Sequence, residues 1–461
     1  MDQPREMTVR SLTHRLDRRR VMRGSLLGGA SAALLGTGLR RGSAQGSTPA
    51  AGSGSGLANS AIFFLGDGMG EAHRSAGTLF EVGLTGSLQM DALPVVGQVG
   101  TSSVGPDGFV TDSAAAATAF ATGVKTLNGA VGVDPDGTSV TNLIELAKAA
   151  GKSVGLVTTS QVTDASPACF AAHVLDRDLQ SEIARQYIED AEVDVILGGG
   201  EDRWLPEGTA GAYPDNPDED PEEQSSSDQG DLIARARELG CSYVSDADGL
   251  DGATGPKLLG LFANEEMFQQ RPEGEGDIYD PVVTLDQMAA KAIEILSQNP
   301  NGFFLFVEEE AIDEFSHANN STYTLKGVSE LNRAVQLGLD YATTAGDTLV
   351  LVTADHECGG LTVEGVDDSD ESGDTEGDLA ISVEDGPFDV ANSDYQFSLD
   401  WTTTGHTGVR VPLTATGPGS ELLAGYYENT DVFIALVTAL GLELPDSAGT
   451  TNATPGATPR S

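Results

Sequence analysis

The sequence predicts an α/β protein: a single domain whose central, mostly parallel sheet is sandwiched by helices and carries acidic surface insertions. Three observations lead there. Short apolar runs recur at 61–65, 153–158, 193–197, 258–262, 302–307, 348–353 and 411–416. Most are unbroken by alternating polar residues, which marks strands buried on both faces, the condition of a parallel sheet covered by helices. Helical spacing fills the gaps between them: Leu285, Met288, Ala289, Ala292 and Leu296 trace one helix face, and Val328, Leu331, Val335 and Leu339 another. Finally, the acids, hydroxyls and histidines grouped below run from Asp67 to His406, so no segment between them separates as an independent unit.

From the N-terminus, LDRRRVMRG precedes an apolar, small-residue stretch over 24–39 and then a Gly/Ser-rich segment to about residue 56. Arg18 and Arg19, followed by Val21, Met22 and Arg23, resemble a twin-arginine export signal, with Gly42-Ser43-Ala44 as a cleavage site. The expectation is a signal peptide over 1–44, a flexible linker over 45–58, the folded domain over 59–445 and a disordered tail over 446–461. The apolar run is too brief and glycine-rich for a stable membrane anchor. The mature protein is therefore expected outside the cell or at its surface.

The run at 61–65 leads into FFLGDGMG, which sets Asp67 among Gly66, Gly68 and Gly70. Ligands of open α/β sheets gather at the carboxyl ends of strands, and glycines let backbone come close. TDSAAAATAFATGVKT, at 111–126, then places Asp112 and Ser113 at the head of an alanine-rich helical run. A helix N-terminus presents free N–H groups and partial positive charge, so Ser113 there faces an anion as a nucleophile and Asp112 can hold a cation. Capping is the other use of Thr111, Asp112 and Ser113. After 302–307 come Glu308 and then Asp313 and His317, four apart and so on one face of a helical turn. LVLVTADHECGG ends a strand with Asp355 and His356, and WTTTGHTGV supplies His406. The chain has six histidines, and His317, His356 and His406 all fall in these segments. Two Asp/His clusters, a third Asp and a hydroxyl provide N/O ligands for two zinc-type ions sharing one phosphate-sized gap.

DGMG, TDSAAAATAFATGVKT, TDASPACFAAHVLDR, VEEEAID with EFSH, TADHECGG and TTTGHTG together resemble the alkaline phosphatase family, in its motif order over roughly 61–440. DVILGGGEDRW at 194–204 is similar to a further family segment. The resemblance implies an alkaline phosphatase that hydrolyses small phosphate monoesters at alkaline pH through a phosphoserine on Ser113. It implies one zinc held by Asp67, Asp355 and His356 beside that serine, and a second held by Asp313, His317 and His406 that activates water. One Mg²⁺ is implied at Glu308, the Ser166 hydroxyl and Asp67, with Asp164 acting through water. Arg177, four residues after His173, is implied as the phosphate clamp, supported by Asp112. The chemistry agrees: monoester hydrolysis is among the slowest uncatalysed reactions. Two dications about 4 Å apart stabilise the entering and leaving oxygens of an in-line displacement. A guanidinium fork matches two nonbridging oxygens, and an oxygen-only set suits Mg²⁺. Export in the folded state suits a chain whose site must be metal-loaded.

Two positions depart from the pattern. Relatives carry Lys, His or Trp where Glu314 follows Asp313, and an acid there is expected to weaken binding of the phosphate product. Glu309 and Glu310 stand where small residues are common. The alternatives are a phosphodiesterase or another hydrolase of the same superfamily such as a nuclease or a sulfatase, a cofactor-independent phosphomutase of that superfamily, and a non-catalytic secreted surface protein. A sulfatase places its nucleophile in a C/S-x-P-x-R context, whereas Ser113 is followed by alanines; a non-catalytic relative would show gaps in the ligand set, and every position is filled.

Composition bounds the surroundings. A formal charge of −46 arises from 71 acids against 25 bases. Loss of nine Arg and three acids with residues 1–44 moves it to −52. Such a surface repels nucleic acid and membrane phosphates at low salt, and its lysine depletion fits a salt-adapted, halophilic protein that needs molar salt. A homodimer is compatible with the chain. Cys169, Cys241 and Cys358 are too few for a disulfide framework and are expected as buried small hydrophobes. The acidic stretches 214–223 and 366–378 read as solvated insertions; Asp368, Asp370 and Gly373 hint at a calcium loop but lack its terminal Glu. Glycosylation sequons at Asn319 to Thr322 and at Asn452 hint at surface positions.

Overall fold

The apolar runs become strands of one large sheet in the computed structural model, which describes residues 57–106, 108–215, 224–269, 278–366 and 383–443. The expected signal peptide, almost all of the expected linker, the expected tail with its Asn452 sequon, most of both acidic stretches and the Asp368 segment lie outside the described residues. In chain order the strands are β1 (Ser60–Gly66), β2 (Val95–Gly100), β3 (Ser153–Gln161), β4 (Val195–Gly199) and β5 (Ser242–Val244). Next come β6 (Leu258–Leu261), β7 (Phe303–Glu309), β8 (Thr348–Thr353), β9 (Glu357–Cys358) and β10 (Leu361–Gly365). The last are β11 (Val383–Asp389), β12 (Gln396–Trp401), β13 (His406–Thr407), β14 (Val411–Thr416) and β15 (Gly425–Glu428).

The main sheet runs β15-β2-β14-β8-β1-β7-β3-β4-β6-β5. Only β14 is antiparallel to its neighbours, β2 and β8. β1, β7 and β8 are buried along their whole length, as their unbroken apolar runs require. The sheet grows from β1 through β7 and β3 on one side and through β8 and β14 on the other. This reversal opens a crevice at the carboxyl end of β1. Leu65 of β1 pairs with Glu308 on one side and Thr353 on the other, so Asp67, Glu308 and Asp355 emerge on the same rim.

All seven apolar runs lie in this sheet, although β4 begins two residues later than the run at 193–197. β2, β5 and β15 and the antiparallel sheet β10-β12-β11 are additions to the sequence reading. β2, VVGQVG, is only half-buried and carries two glycines, so it lacks the apolar signature of the central strands. Both expected helix faces are present, in Leu285–Leu296 and Ser321–Ala345, with Leu339 at the margin of the core.

Helix Ser113–Thr122 is buried at every residue. Its alanines let the helices Ala165–Ala171 and Asn429–Ala439 pack directly on it. Phe120 anchors it edge-on to Phe63 of β1, with ring centroids 5.5 Å apart. Truncating such a ring costs about 3–5 kcal/mol. The three cysteines are buried and unpaired, as expected. The sequon at 319–322 is not a free surface segment: Asn320 caps helix Ser321–Ala345, Asn319 donates to the Ser316 and Thr403 carbonyls, and Ser321 is buried.

Candidate active site

Three strand ends and two loops bring the expected residues together. Asp67 follows β1, and the Gly68 N–H after it donates to Asp355 Oδ1 at 3.2 Å. Gly68 has φ +65°, and a Cβ there would lie 2.3 Å from Asp313 Oδ1, so only glycine lets this turn approach the site. Asp355 and His356 follow β8, and Asp313 and His317 share one face of helix Ala311–His317. His406 opens β13, whose pairing with β9 places it opposite Cys358.

The donors form two groups. Asp67, Asp355 and His356 offer ligand atoms all within 4.8 Å of one another, as do Asp313, His317, Cys358 and His406. His356 Nε2 lies 3.1 Å from Asp355 Oδ2 and 3.5 Å from Asp67 Oδ1. In the second group His317 Nε2 is 3.0 Å from Asp313 Oδ2 and 3.1 Å from His406 Nε2. The groups adjoin, since the His356 and His406 rings stack with centroids 3.5 Å apart. Backbone carbonyls orient two of the rings: His317 Nδ1 is 2.6 Å from Thr404 O, and His406 Nδ1 is 2.9 Å from Thr111 O. Each therefore turns Nε2 inward, as metal-binding imidazoles do.

Asp112 and Ser113 divide the two uses that the sequence allowed. Asp112 is the helix cap: Oδ1 accepts from Ala115 N–H at 2.9 Å and Oδ2 from Gly129 N–H at 2.7 Å. Both of its oxygens are thus engaged by backbone N–H groups. Ser113, the first helical residue, is left with its Oγ 3.2 Å from His356 Nε2. Arg177 NH1 lies 3.7 Å from Asp112 Oδ2, and its NH2 donates to Asp164 Oδ1 at 2.7 Å. The Arg177 N–H donates to Gly129 O, so one turn positions both the cap and the guanidinium. Burial works against the Arg177 charge, but Asp164 and then Asp112 hold it firmly protonated.

A third set lies behind Asp67. Glu308 Oε2 accepts from Thr158 Oγ1 at 2.6 Å, while Glu308 Oε1 and Ser166 Oγ have no partner. Asp164 Oδ2 accepts from Ser160 Oγ at 3.1 Å. Burial pushes the Glu308 carboxyl up to about 8, against the pull of Thr158. Burial also drives Asp67 well above its ordinary value, reinforced by the Asp355, Asp313 and Glu308 charges. Asp313 is held well below its own despite burial, chiefly by the His317 hydrogen bond. That bond lifts His317 to about 9.

These groups fit metal ions. Asp67 Oδ1, Asp313 Oδ1, Asp355 Oδ2, His356 Nδ1, Glu308 Oε1 and Ser166 Oγ are all buried without a hydrogen-bond partner. Orphaned buried polar atoms are costly, and their convergence on one rim marks places where cations belong. The first two groups offer nitrogen with oxygen, as zinc prefers, and the third offers oxygen alone, as Mg²⁺ prefers.

The family model described as alkaline phosphatase matches residues 58–442. The chain belongs to the alkaline phosphatase family. The alkaline phosphatase of Escherichia coli strain K12 is 34% identical over 432 residues, covering 84% of this chain and 87% of its own. The solved alkaline phosphatase of the Antarctic bacterium TAB5 superposes with a TM-score of 0.67 at 30% identity, covering 84% of this chain and 99% of its own. A His-to-Asp variant of that enzyme has been solved with Mg bound in its M3 site. Family and fold together make the chain an alkaline phosphatase-class hydrolase, and the family is metal-dependent.

Several residues of the site escaped the sequence reading. Cys358 sits inside the second group, its thiol pushed up by burial and by Asp313. His73 lies on the helix Glu71–Glu81, with Nδ1 accepting from Gly70 N–H and Nε2 3.1 Å from Ser316 Oγ. Burial lowers it to about 4, so it is a neutral prop beside the residue that precedes His317. Glu309 accepts from Thr159 Oγ1 at 2.8 Å and Tyr279 OH at 2.6 Å, a structural use that leaves Glu308 to the third set. The adjacent letters EEE conceal that division of labour.

Proposed function

We propose that this alkaline phosphatase hydrolyses monoesters through a phosphoserine on Ser113. Zinc would be held by Asp67, Asp355 and His356 and by Asp313, His317 and His406, and Mg²⁺ by Glu308, Ser166 and Asp67, with Asp164 reaching it through water. The observation that carries this reading is the Ser113 hydroxyl, 3.2 Å from His356 Nε2 and free of capping duty. Ions in the two Asp/His groups would supply Lewis acidity, lowering the pKa of the serine hydroxyl and of a water and balancing charge at both ends of the displacement. Ser113 Oγ bonds to phosphorus as the alcohol oxygen leaves. Water then breaks the Oγ–P bond, and inorganic phosphate departs. The head of helix Ser113–Thr122 directs its N–H groups at phosphoryl oxygens. Arg177 offers its fork to two nonbridging oxygens, steadied by Asp112 and Asp164. Hydrolysis of an aryl phosphate at alkaline pH, in high salt with zinc and magnesium, is the test. Wild type is expected to prefer monoesters over diesters and to lose activity on chelation and in Ser113→Ala. Turnover of a diester or sulfate ester alone would move the substrate class elsewhere in the superfamily.

Export by the twin-arginine route and dependence on molar salt belong to the same proposal, supported by the Arg18-Arg19 motif and the charge of −46. Among the described residues, no helix is long and apolar enough to cross a membrane. Full activity after long incubation in dilute buffer would count against salt dependence.

A further inference from the structure

Beside the second Asp/His group a large apolar side chain stands in water. Phe109, four residues before Ser113, is 65% exposed. A lone exposed ring needs no special account. This one is held at the lip of the site from both sides. The Val110 carbonyl accepts from Asn128 Nδ2 at 3.0 Å and from Ser103 Oγ at 3.4 Å, and Asn128 Oδ1 accepts from Asp112 N–H at 3.3 Å. Thr111 O, the next carbonyl, is the one that meets His406 Nδ1. The ring itself lies on the backbone of Gly408, two residues past His406, where a Cβ would come 2.4 Å from Phe109 Cε2. Glycine at 408 therefore makes room for the ring, which joins the segment of the nucleophile to the segment of His406. Val409, next along, is also exposed.

We propose that Phe109 is a specificity-determining residue that stacks on the leaving group, and that the preferred monoesters are those of alcohols bearing a neutral aromatic ring. The inference rests on phosphoryl transfer to Ser113 and adds which alcohol is favoured. Ser113 Oγ stands against His356 of the first group. An in-line displacement sends the alcohol oxygen out on the opposite face of phosphorus, the side of the second group. Whatever that oxygen carries then passes the wall formed by Phe109 and Gly408. A flat ring covers the phenyl face and gains an aromatic contact besides, whereas a polyol gains neither. A neutral ring also adds no charge for a protein of formal charge −46 to repel.

Two pairs of substrates test it with the full chain in high salt, zinc and magnesium. Adenosine 5′-monophosphate and ribose 5-phosphate release the same kind of primary alcohol and differ in the base. Benzyl phosphate and cyclohexylmethyl phosphate have similar bulk, and only the first is aromatic. Wild type is expected to favour the aromatic member of at least one pair in kcat/KM. Phe109→Ala should cut that preference by roughly 3–10-fold, the scale of one ring–ring contact, and Phe109→Trp should keep it. Tyr395→Ala, which removes an exposed aromatic just before β12, should leave the preference as it is. A cut in the first pair alone would identify the partner ring as a nucleobase, and in the second alone as a small aryl group. Equal losses on both members of each pair would mean that Phe109 only props Thr111 and His406. That result, or a preference that Phe109→Ala does not change, overturns the proposal. Hydrolysis of all four esters without preference overturns it alone, while a wild type that hydrolyses none overturns the proposed function with it.

Discussion

The two Asp/His groups use the same residue types at one rim, yet differ in access to water. The side chains of His356 and Asp355 are 0% exposed and that of Asp67 is 4%. In the second group Asp313 is 6% exposed, but His406 is 17% and His317 34%. The closed group grows from the ends of β1 and β8, both fully buried, and so inherits the rigidity of the sheet centre. The open one is assembled from a short helix and the small β9/β13 ribbon. A catalytic metal must keep a position for water or substrate. The difference teaches that the closed group is the more rigid and the open group the more accessible, which accords with the proposal that the first serves Ser113 and the second admits water.

Breaking the closed group should have the largest effect. Ser113→Ala is expected to lower kcat/KM by roughly 10⁴-fold or more with no change in bound zinc, since nucleophile losses reach that scale. Asp355→Asn should lose zinc as well as activity, by roughly 10³-fold or more, since a ligand carries several kcal/mol of charge stabilisation. Metal analysis beside kinetics separates the two. A Ser113→Ala protein that has lost its zinc would merge their roles. Exposure also predicts an order of metal loss. A brief chelator treatment should remove about one zinc per chain from the open group with most of the activity, and re-addition should restore both. Simultaneous loss of both ions would erase the distinction.

How much of this was legible in the sequence follows the same division. The closed side was readable because buried parallel strands have unbroken apolar runs, so acids just past 61–65 and 348–353 stood out. The open side was readable only as separate fragments. Nothing local in TTTGHTG says that His406 lies opposite Cys358, because that pairing joins two-residue strands whose partners are set by tertiary packing. β2 escaped for a related reason: half-exposed, with two glycines, it owes its place to β14 and β15 rather than to its own pattern. The roles within Glu308, Glu309 and Glu310 depend on which way each side chain leaves the end of β7, and three identical letters do not record it.

Smaller effects sharpen the contrast at the rim. Glu314, half-buried beside Asp313, is pushed up by burial and by the Asp313 charge. Glu314→Lys would replace an acid with a cation near the phosphate clamp. Inhibition by inorganic phosphate should tighten by roughly 3–10-fold, about 0.6–1.4 kcal/mol, with slower turnover if product release limits it. Unchanged inhibition and turnover would show that Glu314 does not sense phosphate.

The smallest expected effect lies behind Arg177, where His173 Nε2 is 3.3 Å from Glu145 Oε1 and Nδ1 is 2.7 Å from Gly132 O. Burial opposes the His173 charge, but Glu145 and the Gly132 carbonyl raise its pKa above 6.5. Burial likewise opposes the Glu145 charge, yet His173 and the Asn142 N–H lower its pKa below 4.5. The His173 contribution is complete below about 6.5 and fades as pH rises through its raised folded value; that of Glu145 is complete above about 4.5 and fades as pH falls through its lowered one. The pair therefore helps most between about 4.5 and 6.5 and least at the alkaline pH of catalysis. Glu145 is 42% exposed, so solvent screening leaves well under about 1 kcal/mol. His173→Gln should lower Tm more at pH 5.5 than at pH 9; a larger loss at pH 9 would mean that His173 holds the Arg177 segment as a neutral hydrogen-bond donor rather than as a charge.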